Sequence, residues 1–327
     1  MILAGDIGGT KAMLQLALVR QGRIEPVFEA RYAVASFTGF CAMLTRFLHD
    51  YRQHCGGDAR PASACFGAAG PVVGERIQMT NLPWCLDAAA IAEEFGIARV
   101  QLVNDFEAAA SGTEALAPGD SAILQQGEPL PSAARVVIGA GTGLGVAYML
   151  PQGKRYRVIA GEGGHAGFAP ANDEQLRLWQ ALHARFGRVS VEHVVSGPGL
   201  VHVYEFLRAA SPESASQESN AGAGGAAAIS IAALEHGDRL ACRALDLFIA
   251  CYGAVAGDHA LTATARGGVY IAGGIAPKIL GRLAAGGFMA AFNAKGAHAP
   301  MNSRMPVRVV TTERLGLLGA ALIAARR

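Results

Sequence analysis

Glycine-rich turns after apolar segments are the residues of this sequence best suited to chemistry. The first begins with Asp6, which follows the apolar segment Ile2–Gly5 and precedes Gly8, Gly9 and Thr10. Because glycine lacks a Cβ, backbone N–H groups at such a turn can approach a phosphate closely. The Asp6 carboxylate can hold Mg²⁺, since hard cations prefer oxygen ligands. A tight hairpin in which Asp6 only accepts turn N–H bonds explains the same residues equally well.

A second turn of this kind follows the apolar segment Val136–Ile138. Its small residues are Gly139, Gly141, Thr142 and Gly143. The spacing is similar to a dinucleotide-binding fingerprint, but the next segment, Leu144–Leu150, has the pattern of a strand, whereas that fingerprint opens a helix. Each turn taken alone is explained equally well by a purely structural role. Two such turns, one in each half of the chain, together favour a nucleotide site.

A third glycine pair, Gly273 and Gly274, follows the predicted strand Gly268–Ala272 and precedes a helical segment. Such a pair can let a flat base lie against the backbone. Taken alone, it is more often an ordinary helix-entry turn.

Polar residues at a predicted strand end form a candidate catalytic pair. Asn104 and Asp105 follow the apolar segment Val100–Val103, a position where open α/β sheets commonly display ligand-binding groups. Asp105 is the candidate general base, and the amide of Asn104 suits a sugar hydroxyl. A helix N-cap, which both residue types favour, is the commoner explanation of the pair alone.

Carboxylates and an imidazole on loops form a second polar group. Glu162 and His165 lie in a glycine-rich loop, and Glu192 precedes His193 at a predicted helix start. Such side chains bind vicinal hydroxyls well. A metal site here lacks a convincing third ligand, so we predict that Glu162, His165 and Glu192 contact substrate.

The elements that position these residues have the pattern of an α/β protein. We predict strands at Ile2–Gly5, Ala12–Val19, Ala62–Ala68, Arg99–Val103, Val136–Ile138, Leu144–Leu150 and Gly268–Ala272. We predict helices at Phe37–His54, Asp87–Phe95, Asp173–Phe186, Pro198–Ala209, Ile229–Leu261, Pro277–Leu283 and Glu313–Ala325. The last of these helices places Leu315, Leu318 and Leu322 on one face.

Two further segments need interpretation. Ser211–Ala228 is rich in Ser, Ala and Gly without an apolar period, which predicts a surface loop without a specific function. Ala244–Gly257 is the most apolar stretch, but it contains Asp246 and is shorter than the roughly 20 residues that span a bilayer. We therefore expect a buried core helix and no membrane association.

Composition narrows the partners. The 327 residues carry a formal net charge of +2, which gives no electrostatic signal for nucleic acid or acidic membranes. The N-terminus has no pattern of an export signal, so we expect a cytoplasmic protein. The six cysteines form no Cys-x-x-Cys pair, so reduced thiols are expected. Small molecules are the predicted partners.

Read together, these segments resemble the bacterial ATP-dependent glucokinase family, within the sugar kinase, Hsp70 and actin superfamily. The resemblance extends along almost the whole chain. It rests on the strings GDIGGTKAMLQLAL, MTNLPW, LVNDFEA, GAGTGLGVAY, GEGGHAGFAP, SVEHVVSGPGLVHVY, GGVYIAGGIAPK and GLLGAA. It implies an α/β, two-lobed actin-like ATPase (ribonuclease H-like) fold with a central cleft. The implied domains are a small one, residues 1–110 plus 306–327, and a large one, residues 111–305.

The resemblance also implies roles for the residues above. Asp6–Thr10 and Gly139–Gly143 match the two phosphate loops, and Gly273–Gly274 matches the adenosine loop. Asn104, Asp105, Glu162, His165 and Glu192 match glucose-contacting residues, with Asp105 as the catalytic base. The implied ligands are glucose, ATP and Mg²⁺, with Asp6 as a metal ligand. A cytoplasmic homodimer that forms glucose 6-phosphate at the entry to glycolysis is the expectation.

Alternatives remain open at this point. Lys11 and Ala166–Gly167 depart from some relatives, which leaves a hexose kinase of different specificity possible. A non-catalytic sugar-sensing regulator would need a DNA-reading helix-turn-helix, whereas the first predicted strand starts at Ile2. The polar sugar-binding residues argue against an ATPase chaperone. A related branch of sugar kinases and repressors has a zinc-binding cysteine cluster beside its sugar-binding histidine, and the absence of cysteines near His165 argues against that branch.

Overall fold

The computed structural model describes residues 1–80, 82–210 and 222–326, which fold into two compact units. Unit 1 comprises Met1–Pro118 and Thr312–Arg327, and unit 2 comprises Gly119–Thr311. The resemblance implies domains that divide at residues 110 and 306, and the two compact units of the structure divide at residues 118 and 312. Unit 1 therefore combines the first third of the chain with a helix from its far end.

Unit 1 is built on one large and one small sheet. Its strands are β1 (Ile2–Ile7), β2 (Lys11–Arg20), β3 (Arg23–Ala33), β4 (Ser63–Ala68), β5 (Val72–Val73), β6 (Arg76–Gln78), β7 (Cys85–Asp87) and β8 (Arg99–Asn104). The large sheet has the order β3-β2-β1-β4-β8, and β5-β6-β7 form the small one. Strands β1, β4 and β8 run parallel, and β2 is antiparallel to β1. Buried parallel strands of this kind are expected to be apolar on both faces.

Strand β3 was not predicted from the sequence, and its edge position explains why. Its residues alternate between exposed and half-buried, and Pro26 lies where the register with β2 shifts. Such a strand lacks the apolar signal of a buried one, and proline is tolerated only at edges or bulges. The turn before it, Gln21–Gly22, has positive φ at both residues, as a tight hairpin requires.

Helices cover both faces of the large sheet. The helices of unit 1 are α1 (Phe40–Cys55), α2 (Ala88–Phe95), α3 (Asp105–Gly112) and α11 (Leu315–Ala325). Side chains of β1 alternate between the two faces, so Leu3 and Ile7 pack with α1 and α2, while Ile2 and Ala4 pack with α3 and α11. Helix α3 thus begins directly after β8, with its N-terminus at the carboxyl edge of the sheet.

Helices α3 and α11 approach each other at glycines. A Cβ on Gly319 would collide with the Ala108 carbonyl, and a Cβ on Gly112 would collide with the Leu315 carbonyl. The predicted helix is present, but its stripe of Leu315, Leu318 and Leu322 is only partly buried, because Leu318 and Leu322 are half-buried. Small residues at the contact let the backbones come close, so the deepest face of α11 is not its leucine stripe.

Unit 2 contains the second large sheet. Its strands are β9 (Ser121–Gln125), β10 (Arg135–Ala140), β11 (Leu144–Gln152), β12 (Arg155–Gly161), β13 (Gly268–Ala272) and β14 (Val307–Val310). The sheet order is β12-β11-β10-β13-β14-β9. Strand β10 pairs antiparallel with β11 and parallel with β13. Both units therefore contain an antiparallel hairpin joined to a parallel neighbour, and in both the hairpin turn is glycine-rich.

Helices of unit 2 pack on this sheet. They are α4 (Asp173–Phe186), α5 (Gly197–Ala209), α6 (Gly225–Leu234), α7 (Arg239–Ala263), α8 (Leu280–Ala284), α9 (Gly287–Asn293) and α10 (Ala299–Asn302). The single predicted helix Ile229–Leu261 is wrong, since Gly237 adopts a positive φ and Asp238 caps a new helix. The predicted loop Ser211–Ala228 is wrong from Gly225, where α6 begins. Residues 211–221 of that prediction lie outside the described residues.

Helix α7 is the buried core helix expected around Ala244–Gly257. By length and composition alone it could cross a membrane, but 67% of its most apolar window is buried inside the protein. Burial of this extent is typical of a core helix. Tyr252, one of its buried residues, hydrogen-bonds β10 at both the Ala140 N–H (3.2 Å) and the Ile138 carbonyl (3.3 Å). Tyr252 therefore fixes the end of β10, where the glycine-rich turn starts.

Candidate functional site

Asp6 lies inside β1 rather than in the turn that follows. Its carboxylate packs directly against Gly316 in the first turn of α11, so closely that a Cβ there would overlap the carboxylate. The turn itself closes through a hydrogen bond from the Gly8 N–H to the Lys11 carbonyl (3.0 Å). Thr10 stays exposed and Gly9 half-exposed. The tight hairpin is thus present, but its closing hydrogen bond does not involve Asp6, and the turn still presents backbone to a ligand.

Asp105 lies at the same edge of the sheet as Asp6. The register pairs Asp6 with Gly67 and Ala68 with Asn104, so β1, β4 and β8 end side by side. Burial and the nearby Asp105 carboxylate raise the pKa of Asp6 to about 7. The structure therefore brings together two carboxylates that the sequence separates by almost 100 residues.

Asn104 serves as the N-cap of α3, which was the structural alternative for this residue. Its Oδ1 accepts hydrogen bonds from the N–H groups of Phe106 (2.9 Å) and Glu107 (3.3 Å). Its Nδ2 donates to the Gly70 carbonyl (3.3 Å). An N-cap of this type stabilises the helix by about 1 kcal/mol. The cap orients the first turn of α3, and therefore Asp105; a sugar contact of Asn104 stays a prediction.

The acidic pair fits a divalent cation. Mg²⁺ is usually held by one or two carboxylates together with water and substrate phosphates. Among the described residues, no group of three or more His, Cys, Asp and Glu residues could hold a metal ion alone. Asp6 with its neighbour Asp105 matches the arrangement of one or two carboxylates completed by water and phosphate. A bound cation would stabilise the ionised form of Asp6, whose pKa is raised without it.

Replacing Asp6 by asparagine should change the pH dependence of stability in metal-free buffer. Because the folded-state pKa is raised to about 7 from 3.8, the native protein loses stability as the pH rises through this interval. Asp6→Asn removes this loss. We expect the variant to have the higher melting temperature above pH 7 and the same melting temperature as the parent near pH 4. Thermal unfolding with a chelator checks this; an equal difference at both pH values would contradict it.

In unit 2, the other predicted contact residues gather around the start of β11. Gly164 packs against the Leu144 carbonyl without room for a Cβ. The Val191 N–H donates to the Ala166 carbonyl (2.9 Å), which joins the loop of Glu162 and His165 to the 3-10 turn Val191–His193. Glu162 and His165 are exposed. Glycine in this loop is therefore a packing requirement as well as a means of presenting polar side chains.

Glu192 contacts the glycine-rich turn directly. Its Oε2 accepts a hydrogen bond from the Leu144 N–H at 2.7 Å, immediately after Gly143. An added Cβ on Gly143 would lie 2.5 Å from the same oxygen. This contact could not be predicted from the sequence, since 48 residues separate the partners. One predicted sugar-binding carboxylate is thus part of the predicted phosphate turn.

The Gly273–Gly274 loop lies against the same turn. Gly273 has φ +82°, a conformation that favours glycine, and its Cα faces the Ala140 backbone with no space for a side chain. The Ile275 N–H donates to the Ala140 carbonyl (3.3 Å). The end of β10 and the end of β13 therefore present adjacent glycine-rich backbone.

A cavity of about 830 Å³ opens beside these turns. Gly141, Thr142 and Gly274 contribute to its lining, as do Leu200 and Val201 of α5. Helix α6 lines another side with Gly225, Ala226, Ala227, Ser230, Ile231, Leu234 and Glu235. Its volume is typical of a ligand pocket. Residues 225–227 belong to the segment for which no specific function was predicted, and their place in this lining was not predicted because small residues without a period carry no helical signal.

A larger side chain in the wall of this cavity tests whether it is the nucleotide site that the glycine-rich turns predict. Ala227 is exposed and lines the cavity, so Ala227→Leu places added carbons inside it. We expect the KM for ATP to rise about tenfold, consistent with an overpacking cost of roughly 1–3 kcal/mol. The KM for the sugar should change less than twofold.

Steady-state kinetics with each substrate varied in turn checks this prediction. Ala284→Leu is the matched control, since Ala284 is an exposed helical alanine outside the cavity lining. Equal KM values for ATP in both variants would remove the cavity from the nucleotide site.

These turns, parallel strand ends and the cavity define an actin-like sugar kinase. A glucokinase family model matches residues 3–327. A glucokinase of Synechocystis sp. is 42% identical, over 99% of this chain and 98% of the relative. The crystal structure of a glucokinase from an Antarctic psychrotroph has a TM-score of 0.86 at 28% identity, over 99% of this chain and 98% of that one. The chain belongs to the glucokinase family. The predicted family, fold class and kinase activity are thereby confirmed.

A second solved structure extends the fold comparison. The glucokinase of Balamuthia mandrillaris, solved in complex with glucose, has a TM-score of 0.77 at 21% identity, over 99% of this chain and 93% of that one. At this identity the likeness concerns the fold alone.

Proposed function

We propose that this chain transfers the γ-phosphoryl group of ATP to the 6-hydroxyl of glucose. The observation that carries the proposal is the cavity of unit 2, where an apolar wall adjoins two glycine-rich turns. An apolar wall suits a flat base, and turn N–H groups suit phosphates. Family membership supplies the sugar, since the relatives that match over nearly the full chain are glucokinases.

Asp105 is the proposed base. It is the first residue of α3, and its Oδ1 already accepts the Phe106 N–H at 2.8 Å, which fixes one carboxylate oxygen. The Asn104 cap fixes the turn around it. In the reaction, the Asp105 carboxylate would accept the proton of the sugar hydroxyl as the hydroxyl oxygen bonds to phosphorus and the bond to ADP breaks. Such phosphoryl transfer needs no covalent enzyme intermediate.

Asp6 is the proposed ligand for Mg²⁺. When bound, this cation would neutralise charge that develops on the phosphate oxygens. The Asp6 side chain is held by the close contact with Gly316, and the turn Gly8–Thr10 would contribute N–H donors to a phosphate. The remaining proposed donors are Gly139, Gly141, Thr142 and Gly143, with Gly273 and Gly274 against the adenosine.

The sugar ring is proposed to contact Asn104, Glu162, His165 and Glu192. Each offers a side chain that can form hydrogen bonds with hydroxyl groups. Glu162 and His165 are exposed, so they can reach a ligand without repacking. Lys11, Ala166 and Gly167 are the positions where we expect tolerance of other hexoses to be decided.

Measuring ADP release with and without glucose tests the proposal. Sugar-dependent ADP release together with glucose 6-phosphate supports it. Release that does not depend on sugar would indicate an ATPase, and glucose binding without release would indicate a sensor. A panel of mannose, fructose and glucosamine separates a glucokinase from a broader hexose kinase.

The cellular setting follows from this chemistry. A kinase that consumes ATP and forms a charged sugar phosphate would act in the cytoplasm and supply glycolysis. A homodimer is the proposed assembly, and the low charge content of 17% agrees with a partly covered surface. Light scattering of the purified protein would test the dimer.

A further inference from the structure

The segment that carries Glu192 holds the second glycine-rich turn at both of its ends. Glu192 Oε2 accepts the Leu144 N–H (2.7 Å) at one end. At the other end, the Gly197 N–H donates to the Gly141 carbonyl (2.8 Å). The turn between them also closes on itself, with the Gly141 N–H donating to the Gly143 carbonyl (2.8 Å). Of these two hydrogen bonds, the one that Glu192 accepts is made by a side chain.

The backbone around Glu192 is itself fixed. Ser196 Oγ donates to the Glu192 carbonyl (2.7 Å) and accepts the Gly199 N–H (3.0 Å) as the N-cap of α5. On the other side, Ser190 and His193 form reciprocal capping hydrogen bonds. Glu192 therefore reaches the turn from a rigid support, and its half-buried side chain has little freedom to leave.

The two oxygens of Glu192 differ in their surroundings. Oε2 accepts the Leu144 N–H, and a carboxylate acceptor makes this a charge-assisted bond. No described residue donates a hydrogen bond to Oε1, which leaves that oxygen for a ligand hydroxyl. Gly143 leaves the space that Oε2 occupies, since a Cβ there would lie 2.5 Å away. The same carboxylate can thus bind sugar and turn at once.

We propose that Glu192 is a positioning residue for the nucleotide turn and couples glucose binding to ATP binding. A sugar that fixes Glu192 also fixes Leu144 and the turn before it, so the nucleotide then loses less conformational entropy on binding. Coupling is reciprocal, so nucleotide must raise the affinity for sugar by the same factor. This inference rests on the proposed function, because it assumes that sugar and nucleotide bind on the two sides of Glu192.

Two conservative variants separate this role from a simple sugar contact. Glu192→Gln keeps an oxygen that can accept the Leu144 N–H but removes the charge. Glu192→Asp keeps the charge but shortens the side chain, so that it no longer reaches Leu144. Glu205→Gln is the matched control, because Glu205 lies on α5 and forms only an exposed ion pair with Arg185 of α4 (3.3 Å) in the described structure.

Calorimetry of a non-hydrolysable ATP analogue with Mg²⁺, in the absence of glucose, is the decisive measurement. We expect Glu192→Asp to weaken analogue binding about tenfold, as loss of one charge-assisted hydrogen bond predicts, and Glu192→Gln to stay within about twofold of the parent. Saturating glucose should strengthen analogue binding in the parent and not in Glu192→Asp. Exchange of the Leu144 amide proton, followed by NMR, should be faster in Glu192→Asp only.

Opposite outcomes overturn the inference. If Glu192→Asp binds the analogue like the parent, or if Leu144 exchange is unchanged, Glu192 has no role in the turn. If either of these results is found while the parent phosphorylates glucose, the proposed coupling through Glu192 is wrong and the proposed function stands. If the parent does not phosphorylate glucose, the proposed function fails, while glucose-free analogue binding still reports on the turn. Circular dichroism of each variant confirms that it is folded before binding is compared.

Discussion

Replacing Asp105 by asparagine should lower kcat for glucose phosphorylation by about 100-fold or more, within or above the range for loss of a general base. The exchange is nearly isosteric, and asparagine Oδ1 can still accept the Phe106 N–H that Asp105 accepts at 2.8 Å. The α3 N-terminus should therefore keep its geometry. Glucose affinity, measured by calorimetry, should remain close to that of the parent while turnover is lost.

Glu107→Gln is the control for this experiment. Glu107 lies in the same first turn of α3 and loses the same charge, but the charged group that acts on it is Arg326. We expect its kcat to stay within about twofold of the parent, since the helix-dipole effect of either charge is small. Similar losses of kcat in both variants would point to helix electrostatics, and nearly full turnover in Asp105→Asn would remove Asp105 as the base.

Replacing Gly316 by alanine should reduce turnover with MgATP by about 100-fold, the cost that a displacement of about 1 Å at a reacting group can carry. The added Cβ would occupy the position of the Asp6 carboxylate, which must then rotate or shift. Stability should change little, because alanine gains about 1 kcal/mol over glycine in a helix and offsets part of the collision. Kinetics and thermal unfolding measured together would test this contrast.

Gly287→Ala is the matched control for this variant. Gly287 also lies in the first turn of a helix, α9, and a Cβ there would meet open space. It should leave turnover unchanged and stability equal or slightly higher. Full activity in Gly316→Ala would show that the position of Asp6 does not limit the reaction.

Elements with a strong apolar pattern were predicted closely from the sequence. Strand β13 and helix α4 have the predicted limits, and the first hairpin is in place. Elements whose residue pattern depends on the tertiary environment were not predicted from the sequence. Strand β3 lies at an edge, and α6 contains small residues whose burial depends on its neighbours. Local sequence carries no signal for either of these conditions.

The candidate site shows the same division. Asp6 and Asp105 could be predicted as site residues, because each follows an apolar run of residues that marks the end of a strand. The contacts of Gly316 and Glu192 could not be read, because each joins segments far apart in the chain. The string GLLGAA carried part of the resemblance, but only the structure assigns Gly316 to Asp6 and Gly319 to Ala108.

The assembly of unit 1 from both ends of the chain affects its synthesis. Until α11 leaves the ribosome, the face of β1 and β4 with Ile2, Ala4 and Cys65 has only α3 to cover it. At 5–20 residues per second, the chain between the two parts of unit 1 takes roughly 10–40 s to translate. During this interval the nascent N-terminal segment carries an open apolar surface, a target for chaperones, and Asp6 lacks Gly316. Activity should therefore appear only after the last helix is released.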